Sequence, residues 1–260
     1  MFPDLTVVAT GLVAGVLSGA FGIGGGVVTT PAIRLVLGYP QLIAVGTPLL
    51  VIIPSAVTGA WSYSRTGFVD MRAGLIVGVT GSLAAVAGAW LSDLAGGTVV
   101  ILATAALIGY MAVIMLVQVF RPSAAGALPD TAAVVPVNST PFVLLGLITG
   151  AYSGFLGLGG GFVLVPLLSQ RLGFPIKRAI GTSLVAIGIL AVPGAVAHYL
   201  LGHVDLRLAA LLMIGVVPGA LLGARITERT DDRVVRMAFA IFLAGVGVAL
   251  LLSELAVMIR

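Results

Sequence analysis

The chain has 260 residues, 60% of them hydrophobic and only 8% charged, with a mean hydropathy of +1.22 and a formal net charge of +4. Soluble domains carry about 25% charged residues, so this composition excludes a water-soluble fold and points to an all-α polytopic membrane protein. The absence of cysteine excludes disulfides, thiolate metal sites and cysteine nucleophiles.

The N-terminal stretch MFPDLTVV has no Lys or Arg ahead of its apolar run, so it lacks the form of a cleaved signal peptide and is expected to stay in the mature protein. Five apolar segments follow in the first half, at roughly 5–21, 24–37, 41–64, 71–92 and 98–119. Runs such as Ala73 to Trp90, Val99 to Phe120, Leu208 to Ala224 and Met237 to Leu252, with their flanks, reach the roughly 20 residues that cross a hydrocarbon core. The first two segments are short. Between them lies SGAFGIGGGVV, Ser18 to Val28, with four glycines in five positions.

That pattern returns 135 positions later as SGFLGLGGGFV, Ser153 to Val163. An ungapped shift of 135 also aligns Pro31 with Pro166, Gly38 and Pro40 with Gly173 and Pro175, Gly46 and Thr47 with Gly181 and Thr182, and Asp70 and Arg72 with Asp205 and Arg207. About 27 of the 62 positions from Gly11 to Arg72 are identical to their counterparts. The chain therefore divides into a first membrane repeat, 1–120, a linker rich in proline and small residues, 121–141, and a second repeat, 142–260.

Short segments interrupted by glycine at matching places in two halves are the pattern of transporter binding sites. If the first two segments of each half form a returning hairpin, three full crossings remain per half and the halves are inverted. One side then collects Arg65, Arg72, Arg121, Arg171, Lys177, Arg178, Arg225, Arg229, Arg233 and Arg236, and the other keeps Arg34, Arg207 and Arg260. A single crossing by the pair gives a weaker split, so the positive-inside rule favours inverted repeats with both termini outside. The basic residues lie in short loops and serve orientation; with no basic face, a sequence pI near 10.0 does not imply a nucleic-acid partner.

Three glycine ladders, Gly11/Gly15/Gly19, Gly146/Gly150/Gly154 and Gly215/Gly219/Gly223, recur every four residues and read as close helix contacts. The GxGGG runs are different. Each glycine weakens a helix by roughly 1 kcal/mol relative to alanine, and unwound backbone at membrane depth is tolerated only where protein or a watery cavity covers it. Helices restarting after Gly24, Gly25 and Gly26, and after Gly159, Gly160 and Gly161, would point free N–H groups and the positive helix end at the break, which makes an anion site; a hinge or packing role is the other reading. GIGGGV does not fit the G-x-G-x-x-G nucleotide fingerprint.

Thr47, Thr182 and Ser183, in the GTP and GTS motifs, would offer hydroxyl donors to an oxyanion or bond back to their own helices. Ser18 and Ser153, just before the breaks, carry the same two readings. His198 is the one ionisable side chain placed within a span other than tyrosine, either a packed interfacial residue or a proton carrier, while His203 sits in a loop. No Asp or Glu lies deep in a span, so a carboxylate relay has no member. Asp70 and Asp205 suit helix N-termini. No nucleophile with its base, HExxH or Walker loop appears, so neither an enzyme nor a cofactor or metal is expected.

The duplicated SGxxGxGGGxVxxP motif, followed by G-Y/F-P, GT and GxVD, resembles the TauE/SafE sulfite exporter family, also called the anion permease family. The resemblance spans nearly the whole chain. It implies a multi-pass permease of the prokaryotic plasma membrane that moves sulfite or related sulfur-containing organic or inorganic anions, driven by ion gradients. It leaves the cargo and oligomeric state open. Pro48 departs from the plain pattern, where the second copy has Ser183. The expected partners are a small anion and the lipid bilayer; a passive anion channel and a noncatalytic membrane subunit or sensor are the alternative readings.

Overall fold

A computed structural model of the chain describes residues 4–120 and 139–258; most of the linker at 121–141 lies outside the described residues. These form ten helices: α1 (Asp4–Phe21), α2 (Gly26–Pro31, carried on by a π-helical turn, Ala32–Val36), α3 (Gln41–Arg65), α4 (Met71–Ala95), α5 (Gly97–Phe120), α6 (Thr140–Leu156), α7 (Gly161–Arg171), α8 (Ile176–Leu200), α9 (Leu206–Arg229) and α10 (Asp232–Met258). The expected segments fall within a few residues of these bounds, because glycine or proline follows each helix of the first half where hydropathy also drops.

Among the described residues, α1, α3, α4, α8 and α9 are long and apolar enough to cross a membrane. At 1.5 Å per residue, α3 and α8, 25 residues each, reach about 37 Å and exceed the roughly 30 Å hydrocarbon core. α7 has 11 residues and reaches about 16 Å, half the core. The protein is thus a multi-pass helical membrane protein. Bounds in the first half recur 135 positions on: Gln41–Arg65 maps onto Ile176–Leu200 without remainder, and the turn glycines Gly38, Gly67, Gly173 and Gly202 all have positive φ.

The glycine ladders set the packing. Lipid tails are as apolar as leucine side chains, so membrane helices associate through close backbone approach rather than hydrophobic burial. A methyl group on Gly11, Gly15 or Gly19 of α1 would collide with the carbonyls of Leu212, Val216 or Ala220 of α9. In return, Gly215, Gly219 and Gly223 lie against Val8, Leu12 and Val16. Numbers rise together along both helices, so α1 and α9 run parallel. Gly146, Gly150 and Gly154 of α6 meet Val77, Gly81 and Ala85 of α4 in the same way. The ladders of each half therefore pack on the fourth helix of the other half.

The long central helices cross in opposite directions: Gly59 lies on Leu184, Gly188 on Ala56 and Gly194 near Leu49. α8 runs parallel to α4, with Gly74 on Val185 and Gly78 on Ile189. Helix ends are capped as the acids suggest. The Asp70 carboxylate accepts from Ala73 N (3.0 Å) and that of Asp205 from Leu208 N (2.9 Å). At one end of the bundle Arg178 meets Asp70 at 3.0 Å and Lys177 meets Asp232 at 3.6 Å; at the other, Arg207 meets Asp4 at 3.2 Å.

Gly15→Ala should destabilise the folded protein by about 1–3 kcal/mol, because its methyl group overpacks a backbone contact. Gly245→Ala, with nothing within 4 Å, should leave stability unchanged or raised. Thermal unfolding of both in detergent measures the difference.

Candidate functional site

α1 and α6 stop inside the bundle. Gly22, Gly24 and Gly25 have φ of 68°, 75° and 86°, and Gly157, Gly159 and Gly160 have 69°, 76° and 83°. Side chains at these angles cost roughly 1–2 kcal/mol each, which is why the sequence spends glycine there. Ile23 and Leu158, between the glycines, are fully buried. Gly25 and Gly160 then cap the restarting helices: Val28 and Thr29 donate to the Gly25 carbonyl, and Val163 and Leu164 to that of Gly160.

The two breaks touch. A methyl group on Gly26 would stand 2.6 Å from the Leu158 carbonyl, and one on Gly161 would collide with the Gly22 carbonyl. Gly24 lies near Ile52 of α3 and Ile187 of α8, both midway along their helices, and Gly159 against Ile52. The six glycines singled out in sequence, Gly24 to Gly26 and Gly159 to Gly161, thus meet at the centre of the bundle. Among the described residues, no hydrogen bond engages the N–H groups of either triplet.

The hydroxyls are distributed differently. Thr47 Oγ1 accepts from Asp205 N (3.1 Å) and Thr182 Oγ1 from Asp70 N (2.9 Å), so both hold the loops that open α9 and α4. Ser183 reaches the first break and donates to the Gly22 carbonyl (2.9 Å) and to its own helix at Ile180 (2.8 Å). Ser18 pairs with Ser55 of α3 at 2.6 Å. Ser153 Oγ and Thr149 Oγ1, both fully buried, have no hydrogen-bond partner among the described residues. Tyr152 donates to the Gly160 carbonyl, and Thr30 reaches from α2 to the Gly157 carbonyl of the opposite break at 3.4 Å.

Sequence reading passed over Thr30, Ser55, Thr149 and Tyr152. Thr149, Tyr152 and Ser153 did carry a signal, since their i, i+3 and i+4 spacing puts three polar groups on one face of an apolar helix. Ser55 and Thr30 carried none. His198 is fully buried near the end of α8 with Nε2 2.7 Å from the Gly154 carbonyl. A cavity of about 290 Å³ beside Asp4, Tyr39 and Arg207 opens at one end of the bundle, away from the breaks.

The fold is that of a multi-pass helical membrane protein in which two unwound glycine breaks meet at the centre of the bundle. The chain matches the family described as sulfite exporter TauE/SafE over residues 7–250, and it belongs to that family. It is similar to a probable membrane transporter protein of Methanocaldococcus jannaschii, 25% identical over 97% of this chain and 96% of that protein. Two proteins of Bacillus subtilis, the probable membrane transporter proteins YunE and YdhB, are 27% and 28% identical over 94% and 91% of this chain and 96% of each relative. No solved structure is significantly similar to it.

Gly25→Ala should cost about 1–2 kcal/mol from backbone strain alone, since the nearest atom to the added methyl group is 3.6 Å away. Gly160→Ala should cost more, because its methyl group would also stand 2.5 Å from Thr149 Cγ2. Unfolding in detergent ranks the two.

Proposed function

We propose that this protein is a secondary transporter that carries sulfite, or a related sulfur-containing organic or inorganic anion, across the plasma membrane of a prokaryote by alternating access. The observation that carries the reading is the meeting of two glycine breaks in which the N–H groups of Gly24 to Gly26 and Gly159 to Gly161 have no hydrogen-bond partner among the described residues. Helix-start N–H groups and the positive helix end hold anions without a cationic side chain. Sulfite enters on the family match.

The anion is held by the N–H groups of Gly24, Gly25 and Gly26 on one side and Gly159, Gly160 and Gly161 on the other. Thr47 and Thr182 spend their hydroxyls as acceptors and keep a proton to donate. Ser183, bound to the Gly22 carbonyl, turns toward the anion only by giving up that bond.

The halves are inverted repeats. Supporting this, α3 and its counterpart α8 cross in opposite directions, while α1 packs parallel to α9 as α6 does to α4. Contacts are reciprocal as about a twofold axis: Thr47 binds Asp205 as Thr182 binds Asp70, and Gly46 lies on His203 as Gly181 lies on Phe68. Rocking of one half against the other then exposes the breaks to each side in turn.

Purified protein in liposomes should take up sulfite saturably and exchange labelled internal for unlabelled external anion. Gly160→Leu, inserted normally, should abolish both. Saturable wild-type exchange unaffected by Gly160→Leu overturns the site, flux without counterflow identifies a channel, and no flux with sulfite, thiosulfate or sulfoacetate favours a noncatalytic subunit.

A further inference from the structure

The chain has two histidines in 260 residues, and the fold brings them together. His198 Nδ1 lies 3.2 Å from His203 Nδ1, and His203 Nε2 lies 3.1 Å from Asp93 Oδ1. His198 Nε2 lies 2.7 Å from the Gly154 carbonyl of α6. The series runs from a carboxylate at the end of α4, 44% exposed, through His203, 6% exposed, to the fully buried His198. Gly154 stands three residues before Gly157, where the second break begins.

Bond direction counts the protons. A carbonyl only accepts, so His198 carries its proton on Nε2, and a neutral imidazole then has a bare Nδ1. His203 must therefore donate from Nδ1. A neutral His203 would then present a bare Nε2 to Asp93, and an ionised carboxylate has no proton to give. The complete series holds one proton more than an ionised Asp93 with two neutral rings. Imidazole is a far stronger base than a carboxylate, so that proton sits on His203 Nε2, facing the Asp93 carboxylate. When it leaves to water past the exposed carboxylate, one bond must open: His203 lets go of Asp93, or keeps Asp93 and leaves His198, or His198 turns its proton to His203 and releases Gly154, a release that only the proton-free series permits.

The other half supplies the structural comparison. The positions equivalent to His198, His203, Asp93 and Gly154 are Tyr63, Phe68, Glu228 and Gly19. Tyr63 donates to the Gly19 carbonyl at 3.0 Å, with Phe68 beneath Lys177 and Glu228 bound by Ser62. The same carbonyl is thus held by a phenol in one half and by an imidazole on a titratable series in the other. Apart from Asp93 and His203, charge around His198 is sparse. α6 carries no ionisable side chain except Tyr152, α3 none except Tyr63 and Arg65 at its far end, and the nearby Asp205 carboxylate caps Leu208.

We propose that Asp93, His203 and His198 are the proton-binding site of this transporter, and that its occupancy sets the bond to Gly154 and with it the position of α6 and the second glycine break. The proposal rests on the transporter reading for its coupling role and on bond geometry for the proton.

Because there are only two imidazoles, protein labelled with 15N-histidine gives one ring spectrum per residue. A form with one ring doubly protonated and the other protonated on Nε2 alone should be observed, and Asp93→Asn should abolish it. In liposomes, an imposed pH gradient should drive sulfite accumulation, with proton movement read by an internal dye. His198→Tyr, which installs the phenol that holds Gly19, should keep thermal stability yet lose gradient-driven accumulation as fully as His198→Ala. Full accumulation by His198→Tyr overturns the coupling role, since a carbonyl clamp would then suffice. Two neutral rings indifferent to Asp93 overturn the proton site. Wild-type protein with no anion flux refutes the transporter reading, and the ring spectra then judge the proton site by themselves.

Discussion

A backbone N–H or C=O in the hydrocarbon core has no water to turn to, and each one left unpaired costs several kcal/mol. This protein unwinds two helices at that depth, at Gly22 to Gly25 and Gly157 to Gly160, and the rest of the bundle is arranged to cover them. α3 and α8 cross over the breaks at Ile52 and Ile187, and the two breaks shield one another through Gly26 on Leu158 and Gly161 on Gly22. Carbonyls freed at the helix ends are taken up from elsewhere. Tyr63 and Thr227 bind Gly19 and Ala20, Ser183 binds Gly22, and Thr30 binds Gly157. The N–H groups of Gly24 to Gly26 and Gly159 to Gly161 are the remainder, without a hydrogen-bond partner among the described residues.

Closing helices this tightly requires small residues. The ladders on α1, α6 and α9 remove side chains where backbones meet, so α1 nests on α9 and α6 on α4. These contacts join the two halves, not elements within one half.

The halves share a backbone but differ in their polar groups. Around the first break Ser18 is paired with Ser55, and the positions matching Thr149 and Tyr152 are Ala14 and Leu17. Around the second, Thr149 and Ser153 are buried with no hydrogen-bond partner among the described residues, and Tyr152 reaches into the break. Position 48 is proline where Ser183 stands in the second half, and Tyr63 answers His198. Both halves keep the glycines that the positive φ angles demand, while the side chains, which the backbone does not dictate, differ.

Much of this architecture is legible in the sequence. Hydropathy marks the spans, glycine and proline mark their ends, and the GxGGG runs mark the breaks, because each is a local property of backbone propensity or transfer free energy. Asp70 and Asp205 announce two helix starts by the same local logic. Partners separated along the chain are not legible. Thr47 and Thr182 look like free donors until the loops carrying Asp205 and Asp70 fold onto them. Ser183 shows no sign that the Gly22 carbonyl will accept its hydrogen bond, and His198, read as an isolated ring, is joined to Asp93 through His203 only after α4 packs on α6 and α8. The sequence by itself determined a membrane bundle, duplicated and broken at two glycine runs. Which groups face each other at those breaks was decided by helix crossings, since a crossing is set by the shapes of two distant surfaces at once and no single stretch of chain contains both.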